Sequence, residues 1–292
     1  MKMSEATREA IAIHQAAGRR FTAGGVQSFA IEGGRGGTVV CVHGLPTSSY
    51  LYRKVVPALA GQGVHAVSFD LPGLGLADRP EDFDYSWSGL ARWTGEAIDA
   101  LGIDRCHLVL HDIGGPIGLE WAIENPDRVM SVTALNTLID IADFTPPWTM
   151  RPFYARGAGE VWLAMLQPWV GSQIFYLQGV ADRTAVPRHE LEAHIHLLKH
   201  RDRGRAFLRI VRGAELTAEK QRYLWQGLAD RPWPARIVWG ERDPILGLDR
   251  LRATERILTV DDAILLPAKH FLQEDHAPAI ANAVADLAAP LG

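Results

Sequence analysis

Short apolar runs rich in β-branched residues alternate with longer amphipathic stretches through the first half of this chain. Thr38–Val42, Val64–Phe69, Cys106–Leu110 and Val129–Leu135 are bounded by Gly, Pro or Asp and read as strands. Between them, Leu51–Ala60, Trp87–Leu101 and Gly115–Asn125 carry apolar residues at helical spacing, and the last stops ahead of Pro126, where a helix is disfavoured. The alternation predicts a parallel sheet covered by helices. From about Asp140 to Pro232 the rhythm lapses into Trp- and Arg-rich helical segments broken at Pro146, Pro147, Pro168, Pro187 and Gly213. It resumes at Arg236–Trp239 and Ala263–Leu266, and a final helix is predicted over Pro278–Leu287. The expected organisation is a core from 1–139 and 233–292, with a helical cap over 140–232 lying across the functional edge of the sheet.

With 292 residues, 47% of them hydrophobic, the chain can bury a full core. The net charge of −4 is spread along the sequence, so no basic face is available for nucleic acid. No stretch reaches the roughly 18 unbroken apolar residues of a membrane span, and Met1 to Gly25 lacks the apolar run of a secretory signal. Cys41 and Cys106 each sit in an apolar strand run, which suits reduced packing thiols better than a disulfide. The expectation is a soluble cytoplasmic protein, monomer or homodimer, without nucleic-acid or membrane partners, acting on a small apolar or aromatic molecule without metal or cofactor.

Chemistry concentrates where strands end. In Cys106-His-Leu-Val-Leu-His111-Asp112-Ile113-Gly114-Gly115 a buried strand leads through one residue into a helix, the context of a nucleophile elbow. Such a turn holds its central residue in strained backbone, so small neighbours are required. Gly114 and Gly115 supply them on the helix side, while Leu110 on the strand side is larger than the usual glycine. The central residue is Asp112, ionised without help at a helix N-terminus. Its structural alternative is an N-cap. His43-Gly44-Leu45-Pro46 follows the first parallel strand, and the backbone N–H groups of Leu45 and Ile113 are candidates for an oxyanion hole. Asp243 and His270 follow the two late strand runs, in the order nucleophile, acid, histidine.

At these residues the chain resembles the haloalkane dehalogenase and epoxide hydrolase branch of the α/β-hydrolases. The resemblance is densest at His43–Arg53, Asp70–Gly75, the Asp112 elbow, Gly240–Gly247 and His270–Asp275. It implies an α/β-hydrolase fold, a mostly parallel eight-stranded sheet flanked by helices with an inserted cap. It also implies two chemical steps: Asp112 displaces a leaving group to form an aspartyl ester, then His270, held by Asp243, activates water.

What stabilises the departing atom separates halide from epoxide chemistry. In the dehalogenases of this branch a Trp follows the nucleophile, and some carry an Asn in the His-Gly-x-Pro turn; here Ile113 and Leu45 have no side-chain donor. An epoxide hydrolase forming a diol is therefore the leading expectation. The alternatives are a haloalkane dehalogenase with an atypical halide site and a non-catalytic member that only binds a hydrophobic ligand. Donors in the cap are sought among Tyr154, Trp162, Trp169, Tyr176 and Tyr223, with Trp162 first and Tyr223 second, and His43 is a further candidate for contacting substrate. Each could equally be packing. Glu192, His196 and His200 align at steps of four but read as a solvated helix face rather than a zinc site. The arginines at 201, 203, 205, 209 and 212 are expected to pair with nearby acids.

Overall fold

In the computed structural model, which describes residues 3–289, eight strands form the sheet: β1 (Gly18–Ala23), β2 (Val26–Gly33), β3 (Thr38–Val42), β4 (His65–Phe69), β5 (Cys106–Asp112), β6 (Val129–Thr137), β7 (Ala235–Gly240) and β8 (Ile264–Leu266). Across the sheet they run β1-β2-β4-β3-β5-β6-β7-β8. β1–β2 and β2–β4 pair antiparallel, and every pairing from β4 onward is parallel. The helices are α1 (Glu5–Ala16), α2 (Val55–Gly61), α3 (Trp87–Ala100), α4 (Gly114–Glu124), α5 (Arg151–Tyr154), α6 (Ala158–Met165), α7 (Pro168–Ile174), α8 (Arg188–Leu198), α9 (Arg205–Arg212), α10 (Ala218–Ala229), α11 (Leu248–Leu258) and α12 (Ala277–Ala288). α5 to α10 all lie between β6 and β7, and that stretch contributes no strand among the described residues. The outer ends of the expected core, 1–2 and 290–292, fall outside the described residues.

This is the eight-stranded, mostly parallel α/β architecture the sequence led us to expect, and the six strand runs read from it are present within two residues of their expected bounds. The expected Leu51–Ala60 helix is divided, a short 3₁₀ turn at Ser49–Tyr52 preceding α2. The β1–β2 hairpin was not anticipated. Its signal is Gly24-Gly25, both at positive φ (52° and 74°), the backbone a two-residue hairpin turn demands. Nor was α1, which packs on α8 of the inserted segment.

Two features of the sheet locate the site. β5 is buried on both faces until its last residue, as a central parallel strand must be. Chain order also reverses at β3, whose neighbours are β4 on one side and β5 on the other. At such a switch point the loops after adjacent strands diverge and leave a crevice at their C-terminal ends. The loops concerned carry Leu45, after β3, and Asp112, at the tip of β5.

A buried ion network joins α8 to the core. Glu274 is fully buried, taking both guanidinium N–H groups of Arg53 (2.8 and 2.7 Å) and the Nε2–H of His194 from α8 (2.8 Å). Arg53 also reaches Glu190 of α8 at 2.5 Å, and Lys54 approaches the same carboxylate at 2.9 Å. Burial alone would raise the Glu274 pKa, but the Arg53 charge and the His194 hydrogen bond hold it well below the usual carboxylate range. Removing one member of such a group strands the other charges in a dry interior. Glu274→Ala is therefore expected to cost about 3–5 kcal/mol of unfolding free energy in urea titration at neutral pH. A loss below about 1 kcal/mol, the worth of a surface pair, would show the network to be inert.

Candidate active site

β5 delivers Asp112 with φ at +53°, a left-handed conformation that a residue with a Cβ adopts only when its surroundings insist. The surroundings here leave no room for anything bulkier. A Cβ on Gly44 would come within 2.3 Å of Asp112 Oδ1, and one on Gly114 within 2.5 Å of the Val42 carbonyl. Leu110, larger than the glycine usual at its position, is accommodated because Gly118 of α4 leaves space: a Cβ there would lie 2.4 Å from Leu110 Cδ2. The Asp112 carbonyl accepts the Thr137 hydroxyl at 2.7 Å. Its side chain does not cap α4. Instead Oδ1 accepts the Leu45 N–H at 2.8 Å, and the Ile113 N–H also favours the charged carboxylate.

His270, on the loop after β8, closes the constellation. Its Nε2 lies 3.5 Å from Asp112 Oδ2, and its Nδ1 lies 2.8 Å from Asp243 Oδ2 on the loop after β7. Asp243 is fixed in turn: Oδ1 accepts the Ile245 and Leu246 N–H groups, and Oδ2 accepts Asn136 Nδ2–H at 2.6 Å. The turn-forming and histidine-orienting readings of Asp243 thus coexist, one on each oxygen. Burial by itself would strip the proton from His270, yet the Asp243 charge and the hydrogen bond to Asp112 push its pKa up to about 10. Burial likewise opposes ionisation of Asp112, and the His270 hydrogen bond and charge outweigh it, so its pKa is lowered. The resting site holds a carboxylate and an imidazolium facing each other.

Two supporting residues escaped the sequence reading. Asn136, at the end of β6 with φ at +31°, also accepts the Gly240 N–H at 2.7 Å and so ties the acid's loop to the sheet. Its available signal was the residue type itself, since Asn tolerates left-handed backbone and makes short-range amide bonds. His111 precedes Asp112, and its Nε2–H donates to the His270 carbonyl at 2.9 Å. Burial, reinforced by the neighbouring His270 charge, pushes its pKa down to about 3 and keeps it neutral. Nothing local marks such a role, because its partner lies 159 residues away.

Asp112 and His270 open into a largely apolar cavity. Phe144, Phe153, Phe175, Phe207 and Phe271 supply aromatic walls, and Leu45 and Ile113 form the floor beside Asp112. Three of the expected contacts need correction. Trp162 does line the cavity, but its indole N–H is already given to the Thr149 carbonyl at 3.1 Å. Tyr223 lies outside, 37% exposed, with its hydroxyl toward Glu124. His43 is buried behind the site, its Nε2 accepting the Leu71 N–H and its Nδ1 meeting the Gly44 carbonyl, so it braces the loop rather than touching a ligand. Of the other cap aromatics, Trp169 is exposed and Tyr176 donates to the Val186 carbonyl. Tyr154 alone of the named tyrosines lines the cavity, and its hydroxyl makes no hydrogen bond among the described residues.

The α8 stripe is also corrected. Glu192 and His196 are half-buried rather than solvated, because α8 lies between α1 and α7 with Leu191, Ala193, Ile195, Leu197 and Leu198 all buried. His200, also half-buried, falls in the turn beyond the end of α8, so the three do not share one helix face. No group of three His, Cys, Asp or Glu residues among the described residues is disposed to hold a metal. Arg201 pairs with Asp78 and Arg212 with Glu160, whereas Arg209 turns to the backbone carbonyls of Pro80 and Glu81. No helix of the described residues is long and apolar enough to cross a membrane.

A family model described as alpha/beta hydrolase fold matches residues 37–277. Haloalkane dehalogenase 2 of Mycobacterium tuberculosis is 32% identical over 264 residues, 87% of this chain and 88% of its own. A haloalkane dehalogenase of Agrobacterium fabrum is 36% identical over 157 residues, and there the alignment spans only 50% of this chain and 51% of the relative. Among solved structures, haloalkane dehalogenase DbeA of Bradyrhizobium elkani superposes with a TM-score of 0.80 at 24% identity, covering 94% of this chain and 98% of its own. Epoxide hydrolase VrEH1 of Vigna radiata gives 0.77 at 19% identity, with coverage of 94% and 97%.

The facing charges link this site to stability. The His270 pKa is raised from 6.5 to about 10, so the stabilisation it brings is complete below about 6.5 and is lost as pH climbs through about 10. The lowered Asp112 pKa acts at the other end, its contribution present above the ordinary Asp range and lost as pH falls through the lowered value. Melting temperature followed from pH 6 to about pH 10 should decline in the native protein. In Asp112→Asn, where Asp243 alone supports the imidazolium, the decline should start at the same pH, near 6.5, but finish at lower pH. Superimposable profiles for the two proteins would deny the coupling.

Proposed function

The chain belongs to the alpha/beta hydrolase fold family, in the branch of haloalkane dehalogenases and epoxide hydrolases, and from that premise we propose that it opens apolar or aromatic epoxides to diols through an ester on Asp112. The observation that carries this reading is Tyr154, which lines the cavity while 37% exposed, like Tyr223, but whose hydroxyl has no hydrogen-bond partner among the described residues and lies close enough to Asp112 to feel its charge. Burial, and then that charge, push its pKa up to about 12. A phenol of that acidity is still a stronger acid than an aliphatic alcohol and can surrender its proton to a departing alkoxide. A halide leaves without needing a proton, and the N–H of Trp162 that could have cradled it is spent on Thr149.

Asp112 Oδ2 attacks an epoxide carbon, the C–O bond breaks, and the alkoxide takes the Tyr154 proton. The phenolate regains a proton from the His270 imidazolium. Once Asp112 is an ester its negative charge is gone, and with it one of the supports that raise the His270 pKa. Neutral His270 then accepts a proton from water, and the hydroxide attacks the ester carbonyl carbon. The oxyanion forms where Asp112 Oδ1 now accepts the Leu45 N–H, beside the Ile113 N–H. Collapse of that intermediate releases the diol and restores the carboxylate and imidazolium. Asp243 keeps the imidazole aligned throughout.

Diol formation from styrene-type and alkyl epoxides tests the reading. Tyr154→Phe should lower kcat on epoxides by about 10²-fold, the scale of losing a donor to a developing oxyanion. His270→Gln should halt at the ester, seen by intact-mass spectrometry as substrate mass added to Asp112. Halide release from bromo- and chloroalkanes with no diol from any epoxide would replace this reading with the dehalogenase one, the activity named for the sequence relatives.

A further inference from the structure

We propose that the Gln178 carboxamide is a recognition site for a hydrogen-bond acceptor oxygen, an ether or carbonyl, carried on the substrate arm away from the reacting carbon. The proposal rests on the reading of Asp112 chemistry above and names the kind of epoxide it serves. Gln178 lines the cavity and is only 7% exposed. Its position is fixed by backbone: it lies in the single π-helical turn Phe175–Gly179, whose Gln178 and Gly179 carbonyls accept the N–H groups of His270 (3.4 Å) and Phe271 (2.9 Å). A single π-turn is rare and frequently lies at a functional site.

The orientation of the amide is fixed by a relay. Trp162 Nε1–H donates to the Thr149 carbonyl, and the Thr149 hydroxyl donates to Gln178 Oε1 at 3.0 Å. With the amide turned over, the Thr149 hydroxyl would accept from the NH₂ and lose the acceptor that its own hydrogen has here, so the hydrogen-bond pattern places the carbonyl end at Thr149 and the NH₂ end at the cavity. That nitrogen makes no hydrogen bond among the described residues. A donor without a protein partner at a cavity wall costs free energy once a ligand displaces water there, unless the ligand pairs it. What enters this cavity is ligand. The other polar groups of the lining are engaged: Asp112 and His270 with each other, Tyr154 with the departing oxygen, Thr149 and Trp162 within the relay. Against walls of Phe, Leu, Ile and Pro, one fixed amide N–H selects for a single acceptor oxygen in an otherwise apolar substrate.

Phenyl glycidyl ether and its carbon isostere 1,2-epoxy-4-phenylbutane differ by that oxygen alone. The ratio of their kcat/KM values, ether over isostere, is expected to fall about tenfold in Gln178→Leu, the worth of one buried hydrogen bond. It should fall at least as far in Gln178→Glu, which presents an acceptor where a donor stood, so that failure of one variant to fold leaves the other. Thr149→Val, which frees the amide to rotate, should lie between. Unchanged ratios in variants that melt like the native protein would overturn the proposal, as would an equal fall for both epoxides, since that would put the amide on the leaving oxygen. Affinities of the two corresponding diols, read by calorimetry, need no turnover. Should the native protein open neither epoxide, the Asp112 reading fails, while the ratio of diol affinities in native and Gln178→Leu protein still decides this one. Release of bromide that collapses in Gln178→Leu would make the amide a halide donor and overturn both.

Discussion

The site depends on holding one carboxylate in a backbone conformation that its residue type disfavours. Asp112 stands at φ +53° because β5 must end there and α4 must begin two residues on, and the strain is held by neighbours with nowhere to move. Gly44 lets the oxyanion loop approach until its Leu45 N–H reaches the carboxylate, Gly114 lets α4 start against the end of β3, and Gly118 opens a slot for Leu110. The Thr137 hydroxyl fixes the carbonyl of the strained residue from β6. The loop after β3, the β5–α4 turn and β6 meet at one residue, and the functional group is what they aim.

Charge balance follows from that placement. Two carboxylates and one imidazole share an apolar chamber where Coulomb interactions are far stronger than in water. The state of His270 therefore depends on whether Asp112 is charged. A free carboxylate holds a proton on the imidazole, and an esterified one gives up its part of that hold. On the proposed mechanism, the base required for the second step is produced by completion of the first, which keeps His270 from acting early. His111, buried and neutral beside the imidazolium, anchors the loop without adding a competing charge.

How much of this could be read from the chain depends on the range of the interaction concerned. Asp112, Asp243 and His270 were legible because each follows a strand run, and parallel strands bring their C-terminal ends to one edge whatever the packing details. The donors were not. Whether a Trp or Tyr hydrogen is free depends on who else claims it: Thr149 takes that of Trp162, Glu124 faces that of Tyr223, and Val186 takes that of Tyr176. Tyr154 was among the residues considered, but its distinction lies in having no such claimant, which sequence does not display. α8 escaped for a similar reason. Its Glu192 and His196 read as part of a wet face until α1, invisible in the strand rhythm, is laid beside it.

The buried ions around Glu274 make sense in the same frame. His270, Phe271 and Glu274 occupy a single short stretch, so whatever fixes Glu274 fixes the base as well. Glu274 is gripped by Arg53 of the core and His194 of α8, while the His194 ring stacks on Phe175 (4.8 Å) and Phe175 on Phe271 (4.6 Å). The π-turn that begins at Phe175 also receives the Phe271 N–H and the Lys269 ammonium on its carbonyls. Apolar side chains of equal volume could fill this space at lower desolvation cost, but they would tolerate sliding. Bidentate guanidinium–carboxylate geometry does not slide, because both hydrogen bonds are lost together when the register shifts. Registration of the inserted helices and positioning of the His270 imidazole are thus one mechanical fact, which is why the side chains of Gln178 and His270 line a common cavity although one belongs to the inserted helices and the other to the loop after β8.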